Sequence, residues 1–256
     1  MSGTVVDAHV HLLRWAGEDS TRALVESARR SGIGRLLCSS LGVESYEIPI
    51  TPRGMVAAND YALRELDAFP GALHGLCYAC PTYLDESLRE IERCVASGPM
   101  VGIKLWIDAR ATDPRTLEIG RRAMELGVPL LQHAFSKTTG NFPGESTPAD
   151  VAALAAELPG LRIHMAHLWG ATCRGIASIA PYNNVWVDTS GSDPESGVLE
   201  YGLRELRPER LLFGSDAPGR GFAAQLAKVL GTDMAEPWRQ AILGDNAARL
   251  YGLGAA

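Results

Sequence analysis

Cysteine is scarce in this chain: five among 256 residues, an odd number without the spacing of a disulfide framework. That usage suits a reducing compartment. Cys77 and Cys80 form a C-x-x-C, but inside the apolar stretch LHGLCYAC. A thioredoxin-like pair would open a helix, whereas residues three apart on a strand face opposite ways, so both read as core cysteines. No apolar run reaches the roughly 18 residues of a membrane span. Basic runs are also missing, and acidic residues outnumber basic ones by 30 to 24, a formal charge of −6. A phosphate-backbone footprint, and with it nucleic acid as a partner, is therefore not expected. The opening MSGTVVDAHVHL has no basic region, no long apolar core and no cleavage site. It reads as a strand entered at once rather than a secretion signal, with a cytoplasmic location as the expectation. The Gly-rich phosphate turn that a doubly wound fold favours after its first strand is absent too. His11, Leu12, Leu13 and Arg14 stand there instead.

What is present is a rhythm. Hydrophobic residues make up 46% and charged residues 21%, ordinary for a globular chain. A chain of this length buries about three quarters of its unfolded surface and needs neither disulfide nor metal merely to fold. Short, mostly continuous apolar runs predict strands over 4–9, 35–41, 73–79, 101–106, 128–133, 161–167, 185–189 and 210–215, the pattern of parallel strands covered on both faces. Helix signals fall between them. Asp19 and Ser20 start one that Gly32 stops, and 61–69 reads as another ended by Pro70–Gly71. Asp85 precedes SLREIERCVAS, and the pairs Asp113–Pro114, Thr147–Pro148 and Asp193–Pro194 set a cap before a proline at the first helical position. A last helix is expected over 237–251. Eight strands alternating with about eight helices, without linker or repeat, predict a single (β/α)8 barrel over residues 1–256.

Histidine is rare as well, six in all, yet its placement is not random. His9, His11, His133 and His167 sit at the C-terminal ends of predicted strands, where a barrel builds its active site. In Asp7-Ala8-His9-Val10-His11 the two histidines are two apart, so both face one side of the strand. Imidazole nitrogen suits zinc and similar ions. Asp7, on the same face one step deeper, is expected to accept a ligand's N–H. His133 ends PLLQHAF, His167 ends RIHMAHLWG, and Asp216 ends LLFGSDAP. A carboxylate directly after an apolar strand is costly unless solvated, paired or metal-bound. The set is open and free of cysteine, as catalytic metal sites are. His164, three before His167, is expected by strand parity to face the helices. Lys104, in VGIKLW, lies near the mouth; it either binds a substrate anion or pairs with Asp216, or is carbamylated and bridges two metals.

The pieces VVDAHVHL, GIKLW, LLQHA, IHMAHLWG, LLFGSDAP and ILGDNAARLYGL together resemble the amidohydrolase superfamily. The resemblance is to the amidohydrolase-related branch that holds both hydrolases and aromatic-acid decarboxylases. It implies His9, His11 and Asp216 as ligands of the more buried metal, with His133 joining them in one-metal members. In two-metal members His133 and His167 hold the second ion and a strand-four lysine, here Lys104, bridges. In one-metal members His167 polarises the substrate or shuttles a proton. One divalent ion is favoured over two, zinc foremost, with manganese, iron or cobalt compatible.

The first functional reading is a hydrolase of a small amide, lactone or ester, with metal-activated water as nucleophile and Asp216 as proton carrier. The alternative is a non-oxidative decarboxylase of an aromatic or unsaturated acid, against which the compactness of the chain weighs slightly. A binuclear phosphoesterase and a non-catalytic metal- or ligand-binding barrel complete the set. Substrate choice is expected in the loops 12–18, 42–54 and 136–146. There and nearby, Arg14, Lys137, Arg220 and Glu145 are polar candidates, and Trp106 and Trp169 aromatic ones. A homodimer is expected only from the commonness of two-fold assemblies.

Overall fold

The computed structural model describes residues 4–191 and 196–254. Eight parallel strands follow one another around a barrel in chain order. They are β1 (Val5–His11), β2 (Ile33–Ser39), β3 (Leu73–Tyr78), β4 (Gly102–Leu105), β5 (Leu130–Gln132), β6 (Ile163–Met165), β7 (Val185–Asp188) and β8 (Leu211–Leu212). All eight expected strands exist, and most end sooner than their apolar runs. Backbone bonds from Ala8 to Phe213, His11 to Ala217 and Asp216 to His9 bring the last strand back to the first. A short extended segment, Trp15–Glu18, lies outside the sheet.

The helices are α1 (Ser20–Arg30), α2 (Pro52–Ala68), α3 (Leu84–Ile91), α4 (Pro114–Leu126), α5 (Pro148–Glu157), α6 (Leu168–Ile179), α7 (Val198–Leu206), α8 (Phe222–Leu230), α9 (Glu236–Gln240) and α10 (Asn246–Tyr251). Capping explains where several begin. Asp113 accepts from the Arg115 N–H, and Thr147 and Asp150 form a reciprocal capping box, each followed by the expected proline. Asp193–Pro194 lies outside the described residues. The helix expected over 61–69 is longer, because Thr51 accepts from the Gly54 N–H ahead of Pro52, the same device unnoticed in the sequence. The loop after β2 therefore ends at Thr51 rather than Gly54. Asp19 makes no side-chain cap for α1.

Two apolar layers result. One lies between strands and helices. The other fills the barrel, where Val6, Leu37, Leu76, Leu131 and Leu212 meet Leu250, Tyr251 and Leu253 from the C-terminal end of the chain. That segment closes the floor, and the histidines of the strand ends lie towards the opposite end. Cys77 and Cys80 are buried, free and in separate apolar clusters. No described helix is long and apolar enough to cross a membrane.

Candidate metal centre

β1 ends on two ligand-type side chains. His9 Nδ1 donates to Asp188 Oδ2 at 3.0 Å, which leaves Nε2 as a lone pair. His11 Nδ1 faces Ser39, 3.2 Å from its Oγ, and its Nε2 lies 3.2 Å from that of His9. Two ring nitrogens that converge this closely suit a cation held between them. Asp216 Oδ1 stands 3.3 Å from His11 Nε2 and 3.9 Å from His9 Nε2. His9, His11 and Asp216 thus form a three-residue donor group, and His9, His167 and Asp188 form another.

Burial keeps these imidazoles neutral. It drives His9 down to about 3, with Lys104 adding to the effect, and lowers His11, His133 and His167 as well. Neutral imidazoles are what a metal needs. Burial alone would raise the Asp216 carboxyl, but the His11 hydrogen bond and nearby His167 and His9 outweigh it and hold the group below the usual carboxylate range. The donor set therefore fits a divalent ion.

His133 is in neither three-residue group. Its Nε2 donates to Glu145 Oε1 at 2.8 Å, and its Nδ1 faces His167 Nε2 at 3.1 Å. Glu145 is drawn from the loop after β5 into full burial and also accepts from Lys137 Nζ at 2.8 Å. Burial opposes ionisation of Glu145, yet these bonds bring its carboxyl down to about 2. Lys104 is fully buried, with Nζ 3.1 Å from His9 Nε2, and desolvation lowers it to about 8.

Two expectations are corrected. His164 faces the barrel interior, not the helices: its Nε2 donates to Asp188 Oδ2 at 2.9 Å. The parity argument assumed a strand running through His167, but β6 stops at Met165 and His167 takes a left-handed backbone, φ 74°, which resets the direction of its side chain. Asp216, φ 64°, uses the same device. Asp7 does not receive an imidazole N–H. Its Oδ1 accepts the backbone N–H of His9 and of Ser215, tying β1 to the strand end that carries Asp216.

The residue that takes the expected role of Asp7 is Asp188, which sequence reasoning missed. It is wholly buried and also accepts from the backbone N–H groups of His167 and Ser190 and from the Ser190 hydroxyl. Its signal was available: VWVDTS, like LLFGSDAP, ends an apolar strand on a carboxylate. Gly214 makes room for it, since a Cβ there would lie 2.9 Å from Asp188 Cβ and 3.1 Å from His9 Cβ.

Around the mouth, Tyr46 packs edge-on against His11 and next to Trp106, both at 5.7 Å between ring centres. Phe135 lies 5.7 Å from His167. Arg220 is held by the carbonyls of Gly191 and Gly219. Arg14 instead pairs with Glu44 at the surface, and Lys137 is engaged by Glu145. Trp169 belongs to α6, but its side chain lies outside the described part.

The family model for amidohydrolases matches residues 6–253. No curated protein is close enough in sequence to count as a relative. Among solved structures, 2,6-dihydroxybenzoate decarboxylase from Rhizobium superposes with a TM-score of 0.78 at 17% identity, covering 98% of this chain and 99% of that one. 5-Carboxyvanillate decarboxylase from Sphingomonas paucimobilis gives 0.78 at 16%, covering 99% and 100%. A dihydroxybenzoic acid decarboxylase from Polaromonas, with bound manganese and the inhibitor 2-nitroresorcinol, gives 0.75 at 17%, covering 99% and 98%.

Proposed function

From the premise that the chain belongs to the amidohydrolase family, we propose that it is a metal-dependent decarboxylase of a small aromatic acid bearing a hydroxyl beside its carboxylate. The observation that carries this reading is the His9–His11–Asp216 group opening onto a mouth walled by Tyr46, Trp106 and Phe135. The decarboxylases named among the structural neighbours support it over the hydrolase reading. Bound at His9, His11 and Asp216, with His133 completing the set, one divalent ion (manganese as in a neighbour, or zinc) would fix the carboxylate and acidify the adjacent hydroxyl.

The chain's own residues manage the proton and the ring. Decarboxylation replaces a carboxylate by hydrogen, so each turnover consumes one proton. The proton reaches the ring carbon, the carbon–carboxylate bond breaks, its electron pair returns to the ring and carbon dioxide leaves. Asp216 has a quarter of its side chain exposed towards the mouth. With the hydroxyl acidified in this way, Asp216 would take its proton and deliver it at the ring carbon. The phenolate left behind is reprotonated by solvent. His167, backed by His133 and Glu145, steers the carboxylate side of the ring. Tyr46, Trp106 and Phe135 pack on its faces, and Arg220 holds a further anionic or hydroxyl substituent.

Hydrolysis of an amide, lactone or ester is the second reading, favoured by the same open donor set with Asp216 as base. The deciding experiment loads the purified protein with manganese or zinc and offers 2,6-dihydroxybenzoate and other ortho-hydroxybenzoates. Carbon dioxide release, abolished in D216N, is the expected result. Ester or lactone cleavage without any carbon dioxide from the acids refutes the decarboxylase and establishes the hydrolase.

A further inference from the structure

The described polar groups inside the barrel do not stop at the mouth. A line of hydrogen bonds descends to the floor. Tyr251, on the C-terminal α10, has its hydroxyl 2.8 Å from His164 Nδ1. His164 Nε2 lies 2.9 Å from Asp188 Oδ2, and the same oxygen lies 3.0 Å from His9 Nδ1. The four residues are buried, none more than 5% exposed.

The protons on this line have one consistent assignment. A phenol inside an apolar floor stays protonated, since burial pushes its pKa well up. A phenol can donate or accept, but Asp188 only accepts, so His164 presents its N–H there and a lone pair at Nδ1, to which Tyr251 donates. The single proton of a neutral His164 must then sit on Nε2 and point at Asp188. Asp188, an acceptor only, takes that proton's bond and the Nδ1–H of His9. His9 is left with its lone pair on Nε2, facing His11, Asp216 and Lys104. Without the Tyr251 hydroxyl, His164 keeps only its bond to Asp188, and the ring loses the second contact that aligns its Nε2–H on that carboxylate. The line is no route for substrate protons, because its upper end is the ring nitrogen of His9 turned away from the donor group.

We infer that Tyr251 and His164 are positioning residues: acting through Asp188, they fix the tautomer and orientation of His9 from the floor of the barrel. The inference rests on His9 being a metal ligand. It gives the C-terminal segment a part in metal retention besides plugging the barrel.

The test uses the full chain with zinc as probe, because zinc is diamagnetic, and four variants. Y251F removes one hydroxyl, H164M removes both bonds of the imidazole, and H164Q can replace both. L250A loosens the same floor without touching the line. Zinc affinity is read by competition with a chelating dye, and histidine tautomers by ¹⁵N NMR with and without zinc. Changing the groups behind a ligand typically costs 10–100-fold in metal affinity, so Y251F and H164M are expected to lose about tenfold, with H164Q recovering most of it. L250A is expected to lower thermal stability and leave zinc affinity near that of the parent. Unchanged affinity in Y251F, or an equal loss in L250A, overturns the inference. A wild-type His164 carrying its proton on Nδ1 in the metal-free chain overturns the line alone. A wild-type chain that takes up no zinc refutes the metal-site reading itself.

Discussion

Asp188→Asn is the most exacting substitution, because one buried carboxylate holds so much of the centre. It receives five hydrogen bonds: from His9 Nδ1, His164 Nε2, the backbone N–H groups of His167 and Ser190, and the Ser190 hydroxyl. An amide of the same shape keeps one acceptor oxygen and turns two N–H groups towards donors that face it. At least two of those donors lose their partner, at about 1–3 kcal/mol each. The sum agrees with the roughly 3–5 kcal/mol lost when one member of a buried ionic pair is removed. For a domain of this size that corresponds to a fall in melting temperature of about 10 °C. Metal affinity should fall about 10–100-fold, since His9 loses the acceptor that fixes its tautomer. Differential scanning calorimetry of the metal-free protein and zinc titration against a chelating dye read the two effects separately. If D188N melts within about 2 °C of the parent, well inside the shift expected, and binds zinc as tightly, Asp188 does not organise the site and the argument fails.

Further outcomes follow from the same geometry. Adding a methyl at Gly214 wedges Asp188 from His9, so G214A should cost about 1–3 kcal/mol by denaturant unfolding and weaken metal binding. Glu145 has its carboxyl near 2 instead of 4.5. Its contribution is therefore complete above pH 4.5 and is lost as pH falls towards 2. Proteolysis of the 136–146 loop should rise across that window in the parent, while E145Q shows no such step. Elemental analysis should find about one metal per chain and none in H9A, as expected for a single-ion site; with Lys104 unmodified, added bicarbonate leaves metal uptake unchanged. On the proposed reading, in which Trp106 packs on the substrate ring away from the reacting bond, W106A should raise KM for an aromatic acid more than it lowers kcat; equal losses in both would place it elsewhere.

The sequence by itself determined the architecture and pointed to the principal candidate donors. Eight apolar runs, separated by capped helices, leave few alternatives to a parallel barrel, because each run is local and its helix must cross to reach the next strand. His9 and His11 were legible for the same reason: a two-residue spacing on one strand fixes their common face. Asp216 was legible because a carboxylate following an apolar run is chemically exceptional, and Asp188 could have been found by the same rule.

Only the tertiary structure decided which partners these groups meet. Asp188 lies 179 residues from His9, and no local pattern links them. Left-handed turns at His167 and Asp216 break the strand alternation on which the reading of His164 relied, and they are held by long-range bonds, from the His167 N–H to Asp188 and from the Asp216 N–H to the His9 carbonyl. Tyr251 reaches His164 because the C-terminal segment folds under the barrel to bury the inward side chains of its strands. Spacing fixes which face a side chain takes within an element; closure of the barrel, driven by apolar burial, sets what stands opposite that face.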